Sequence, residues 1–92
     1  MDRITWDPEK DRLNRAKHGI GFTEARLVLF NELTREWPDA DHSTLEPRAL
    51  NLGVTPSGDV LLIVTAATID GSIRIISARR ATKRERHAYE AR

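Results

Sequence analysis

The spacing of apolar residues along this chain changes period from helical to alternating and back. Arg3-Ile4-Thr5-Trp6 is short and mixed, and is expected to form an edge strand. Asp7-Pro8 then opens a helix: Asp7 can cap it, and the missing N–H of Pro8 has no partner at the first helical position anyway. This helix stops at Gly19, after Lys17 and His18, where cations suit the negative end of the dipole. Leu13, Ala16 and Ile20 give it a thin apolar face. After a very short turn, Phe22, Ala25, Val28 and Leu29 recur at helical spacing, with Gly21 or Thr23 as cap and Asn31 as terminator. A helical hairpin follows from that short connection.

Beyond residue 32 the period falls towards two. Residues 33–38 make a strand that ends at Pro38, and residues 39–47 form a polar loop. In residues 48–54, Arg48, Leu50, Leu52 and Val54 share one face, with Ala49, Asn51 and Gly53 on the other. Residues 60–67 are a continuous apolar run of strand length, expected to lie at the centre of a sheet with both faces covered. Residues 73–79 form the next strand, and the turns between these strands are short, so they build an antiparallel meander. The last segment returns to helix. Thr82 and Glu85 have the spacing of a capping box, and Ala81, Ala88 and Tyr89 are its apolar anchors. The order β-α-α-β-β-β-β-α predicts a single α+β domain over residues 1–92: a small antiparallel sheet with an N-terminal helical hairpin and a C-terminal helix.

Charge adds a direction to this outline. The net charge of the 92 residues is only +1, but residues 74–92 hold seven Lys/Arg against two acids, a net of +5, which leaves −4 on the rest. A positive end on an otherwise negative domain turns towards a polyanion. There are no cysteines, so disulfides, thiolate metal sites and Cys nucleophiles are excluded. No apolar run approaches the length of a membrane span, and the N-terminus has no signal-peptide core. A cytoplasmic protein with no membrane partner is expected.

Few chemistries survive. His18, His42 and His87 lack a second ligand at a spacing suited to a metal, no Gly-rich loop opens a helix for a nucleotide, and Asp41-His42-Ser43 are sequence neighbours, which rarely satisfy triad geometry. No metal and no cofactor are expected. Metal-free cleavage of RNA needs a proton acceptor for the 2′-OH, a donor for the leaving oxygen, cations for the charge at phosphorus, and a surface that holds the strand. His42 and Glu46 are the candidates for proton transfer, and Arg48 and Arg79 for phosphate. Lys17, His18, Arg80, Lys83, Arg84, Arg86 and Tyr89 are the candidates for holding RNA. Trp6, Trp37 and Tyr89 are the rings on which bases can stack, although Trp6 is also a natural core residue. His42 has a competing role in its own turn, where Asp, His and Ser bond locally.

Taken together, "WDPEK…LNRAKHGIGF", "EA…VLF", "DADHSTLEPR…NLG" and "IRIISARRATKRERHAYE" resemble the BrnT family, the toxin half of the BrnT–BrnA type of toxin–antitoxin module. The resemblance covers nearly the whole chain. It implies a RelE-like fold and a metal-independent endoribonuclease that halts translation, acting on RNA that includes ribosome-associated RNA. It also implies a hetero-oligomer with a cognate BrnA-like antitoxin of ribbon-helix-helix type, whose DNA-binding domain lets the complex repress its own operon. Two positions depart from the pattern. Ile69 stands near an expected Arg, and Gly21 stands where a Ser cap is common. The Ile69 departure admits an alternative: a catalytically weak or inactive module that only binds RNA or antitoxin.

Overall fold

A computed structural model describes residues 3–91. Arg92, counted above in the basic segment, lies outside them. The chain runs β1 (Ile4–Thr5), α1 (Pro8–His18), α2 (Phe22–Leu29), β2 (Arg35–Pro38), β3 (Arg48–Val54), β4 (Val60–Ala67), β5 (Ile73–Arg80) and α3 (Lys83–Glu90). The strands form one five-stranded sheet in the order β1-β5-β4-β3-β2. The α+β class, the hairpin of helices and the central position of residues 60–67 are as the periodicity predicts.

The sheet is mixed rather than wholly antiparallel. Strands β2 to β5 form the expected meander, but β1 joins the outer edge of β5 in parallel, with Ile4 opposite Ile73 and Thr5 opposite Arg74. The reason lies in the connection. Helix α1 starts two residues after Trp6 and must run along the remainder of the β5 edge, so β1 enters in the same direction as β5.

That remaining edge is closed by a side chain. The Asn14 carboxamide donates to the carbonyls of Ala78 (2.7 Å) and Ile20 (2.9 Å) and accepts from the Ala78 N–H (3.2 Å). A primary amide thus takes the place of a strand peptide and removes an open ladder edge. Asn14 is the buried residue of α1, whereas Leu13 is 52% exposed and Ala16 is also exposed, so the expected apolar face of this helix is replaced by a hydrogen-bonded anchor. Helix α2 is capped from outside as well. Its N-cap Gly21 has no side chain, and Asp11 Oδ1 on α1 accepts from the Phe22 N–H at 2.8 Å.

The two faces of the sheet do different work. On one, α1 and α2 bury Ile20, Phe22, Ala25 and Val28 against Leu61, Ile63, Ile75 and Ala78. Trp6 packs here, edge-on to Phe22 with ring centroids 6.3 Å apart. Helix α2 sits so close to β3 that a Cβ on Gly53 would come within 2.3 Å of Thr34 Oγ1 and 2.6 Å of Val28 Cγ1. On the other face, α3 covers Leu52 and Leu62 through Tyr89, with Ala81 at its root. Ala88, expected as an anchor, is exposed. Helix α3 spans only one end of this face. A bulge in β5, where Ile76 is the extra residue between the pairs Val64–Ser77 and Thr65–Ile75, places Arg74 on the same face as Ser77 and Arg79 while Ile75 stays in the core.

Candidate functional site

Register across β2, β3, β4 and β5 sorts the side chains of the α3-bearing face into rows. One row runs Arg35–Leu52–Leu62–Arg79 and lies under α3. The next runs Trp37–Leu50–Val64–Ser77. The last runs Arg48–Ala66–Arg74. Each charged strand residue that the register puts on this face is an arginine: Arg35, Arg48, Arg74 and Arg79. Beyond α3 the face continues over the half-buried Leu50 and Val64 to a cationic end, where Ala66 is buried in the row of Arg48 and Arg74.

Arg48 and Arg74 line a cavity of about 290 Å³ together with Ile76 and with Asp7 and Lys10 from the start of α1. Asp7 is committed to α1, since its Oδ1 accepts from the Glu9 N–H at 2.9 Å. The N-terminal dipole of this 11-residue helix adds positive potential to the cavity. Arg74 donates to Glu46 Oε1 at 2.5 Å, which draws the loop carboxylate to the rim. The guanidinium of Arg48 and the ammonium of Lys10 have no ion pair among the described residues.

The loop that carries Glu46 and His42 is built around the backbone of Arg48. Asp39 N–H donates to the Arg48 carbonyl (2.8 Å), Ser43 Oγ donates to the Asp39 carbonyl (2.8 Å), and Arg48 N–H donates to Ser43 Oγ (2.9 Å). His42 Nδ1 sits 3.1 Å from both oxygens of Asp39, with the ring otherwise exposed. Three of the four residues expected to act chemically, His42, Glu46 and Arg48, therefore gather on one closed loop. The sequence did not single out Lys10 or Arg74. Arg74 looked like one strand cation among several, and only the bulge and the register bring it opposite Arg48.

Arg79 stands at the other end of the face, four residues along β4 from the Arg48–Arg74 row, which is on the order of 13 Å. Both its terminal nitrogens are held by Glu85, at 2.8 and 2.9 Å. Glu85 also accepts from the Thr82 N–H while Thr82 Oγ1 accepts from the Glu85 N–H, completing the predicted capping box. The Arg79 fork pulls the Glu85 carboxyl down from 4.5 to about 2, with the Thr82 N–H assisting against partial burial, and the Arg79 pKa rises in return.

The remaining expected contacts divide. Lys83, Arg84 and Arg86 are exposed on α3 and free of ion pairs among the described residues. Arg80 lies 3.8 Å from Asp59. Lys17 and His18 sit at the far end of α1, roughly 10 Å along the helix from Lys10, and are not brought into the cavity. Tyr89 is not an RNA platform: its ring is buried between α3 and the sheet, and its hydroxyl donates to the Leu33 carbonyl at 3.3 Å. Trp6 is likewise taken up by the core. Ile69 is fully exposed at the β4–β5 turn. No helix among the described residues is long and apolar enough to cross a membrane.

Comparison with known proteins agrees with this architecture. No curated protein matches the chain. The crystal structure of the Brucella abortus ribonuclease toxin BrnT superposes with a TM-score of 0.68 at 21% identity, over 90% of this chain and 100% of that one. Residues 6–85 match the family described as the ribonuclease toxin BrnT of type II toxin-antitoxin systems. The chain belongs to the BrnT family of ribonuclease toxins.

Proposed function

We propose that this chain is an endoribonuclease that cleaves RNA without a metal ion, on the open end of the sheet face. The observation that carries this reading is the pair Arg48 and Arg74, set across Ala66 and beside Lys10 and the start of α1. Two guanidinium forks and an ammonium around one cavity match the oxygens of a phosphodiester and the charge that grows on them. Glu46, at the rim on Arg74, accepts the proton of the attacking 2′-OH. The 2′-oxygen bonds to phosphorus, the 5′-oxygen leaves, and His42 as general acid supplies the proton it takes up. The products are a 2′,3′-cyclic phosphate and a 5′-hydroxyl. The exposed cations Lys83, Arg84 and Arg86 hold the flanking strand by counterion release.

In the cell this activity halts translation, on RNA that includes ribosome-associated messages, in the cytoplasm. A toxin of a type II system is held in check by a protein antitoxin. Here that partner is a BrnA-like ribbon-helix-helix protein, and the resulting hetero-oligomer represses its own operon. The test uses purified protein in excess chelator. Single-stranded RNA should be cleaved, and Arg48→Ala should lose on the order of 10²–10³ in rate with an unchanged melt. Equal cleavage by Arg48→Ala overturns the assignment.

One observation favours a second reading, a binding module without catalysis. Glu46 is already engaged by Arg74, and Ile69 brings no charge to its turn. Under that reading the same protein binds RNA and leaves it intact.

A further inference from the structure

We infer that Trp37 is a stacking subsite for one unpaired base, next to the phosphate held by Arg48. This deepens the proposed function and rests on it. Among the aromatic rings, Trp6 is packed edge-on to the fully buried Phe22, and Tyr89 is buried under α3. Trp37 is open, with 37% of its surface exposed; Phe30 is open to 36%, but the Arg26 guanidinium already lies 4.8 Å over its ring. It lies on β2, the outermost strand, so a base can approach its ring from beyond the sheet edge.

Position makes the ring useful. Trp37 is in register with Leu50, and Arg48 is two residues along β3 on the same face. One strand spacing and two residues of rise separate the Trp37 and Arg48 backbones by about 8 Å, and Arg74 lies about 10 Å further across the sheet. A nucleotide is of that dimension: with its base on Trp37, its phosphate falls within the reach of Arg48. The apolar floor of Leu50 and Val64 runs between them and offers no group to pair with a base edge. A ring of this kind accepts any base by its π-face and favours purines for their larger area. Because a paired base keeps both faces stacked in its helix, the subsite selects single strands.

A tryptophan on an edge strand can also be there for β-propensity alone, and the experiment separates the two roles. The probes are a 2′-O-methyl oligoadenylate of about ten residues, which presents bases but cannot be cleaved, and an abasic strand of equal length. The parent protein should bind the base-bearing strand about ten- to a hundredfold more tightly than the abasic one, with quenching of tryptophan fluorescence. Trp37→Leu should bind both strands equally, with the parent's salt dependence, because the phosphate contacts remain. Trp37→Phe should keep most of the preference. If Trp37→Leu retains the parent's preference for bases, or if both substitutions weaken the two strands alike, Trp37 is a structural edge residue and the inference fails. If the parent binds the base-bearing and abasic strands equally, the subsite does not exist even though the RNA site does. If the parent binds neither strand, the RNA reading itself falls.

Discussion

Arg79 and Glu85 meet through both guanidinium nitrogens, joining the end of β5 to the first turn of α3. This contact gives the last helix its footing. With 8 residues and one buried side chain, Tyr89, α3 is too short and too polar to persist alone. The planar fork of Arg79 fixes Glu85, and Glu85 in turn caps the helix. Arg79 therefore anchors the basic helix, whereas the phosphate chemistry is proposed for Arg48 and Arg74.

Arg79→Lys separates these roles. A lysine keeps the charge but loses the bidentate geometry. The variant should melt about 4–8 °C below the parent, the equivalent of about 1 kcal/mol for a partly exposed pair. Its folded fraction should retain RNA cleavage within a few-fold. An unchanged melt with lost cleavage would return Arg79 to the catalytic site.

The same pair sets a pH dependence. Glu85 is held at about 2 in the folded protein against an ordinary 4.5. A depressed carboxyl stabilises the fold above its unfolded value and loses that contribution as pH falls through the folded one. Stability should therefore decline between pH 4.5 and 2, and α3 should loosen first. Glu85→Gln should be less stable at neutral pH and show a shallower decline, measured by thermal melts across that range.

Asn14 offers a sharper test of folding. Its buried amide satisfies two carbonyls and one N–H. Asn14→Ala leaves these groups unpaired, at roughly 2–4 kcal/mol. Asn14→Asp should be worse, although it is nearly isosteric, because a carboxylate oxygen would then face the carbonyls of Ala78 and Ile20. Equal melts for the two variants would show that the edge is open to solvent.

Reversing Lys83, Arg84 and Arg86 to Glu should weaken RNA binding and flatten its salt dependence, by about 0.7 in the log–log slope for each lost phosphate contact on a single strand. These residues are exposed, so the melt should hold. Parent-like affinity and slope would place the helix against another partner.

Much of the fold is legible in the residues because local rules and burial agree. Asp7-Pro8, Gly19 and Thr82-x-x-Glu85 mark helix ends, and the run from Val60 marks the central strand. Two features escaped that logic. Periodicity weighs apolar residues, so it credited Leu13 and passed over Asn14, whose role depends on a peptide 64 residues away. Strict alternation along β5 would send Arg74 to the helix-packed face with Ala78, and the bulge at Ile76 is invisible without the pairing partner. Thr-x-x-Glu revealed the cap but not that Glu85 had a second claimant in Arg79. The loop of His42, Glu46 and Arg48 was identifiable by composition, whereas its partner Arg74 was not.

The division of the sheet into a helix-packed side and an arginine side has a genetic consequence. In a saturation scan of β3 and β4, residue-number parity should predict phenotype outside Leu52, Leu62 and Ala66, which are buried on the even face. Odd positions, Asn51, Gly53, Leu61 and Ile63, should yield variants that vanish from the soluble pool. At the open end, the even position Arg48 should yield abundant protein that no longer arrests growth. On β5 the rule changes hands at Ile76. Below the bulge the even residue Arg74 behaves as an activity position, and above it the odd residue Ser77 does, so the point at which tolerance switches parity would locate the bulge without a structure.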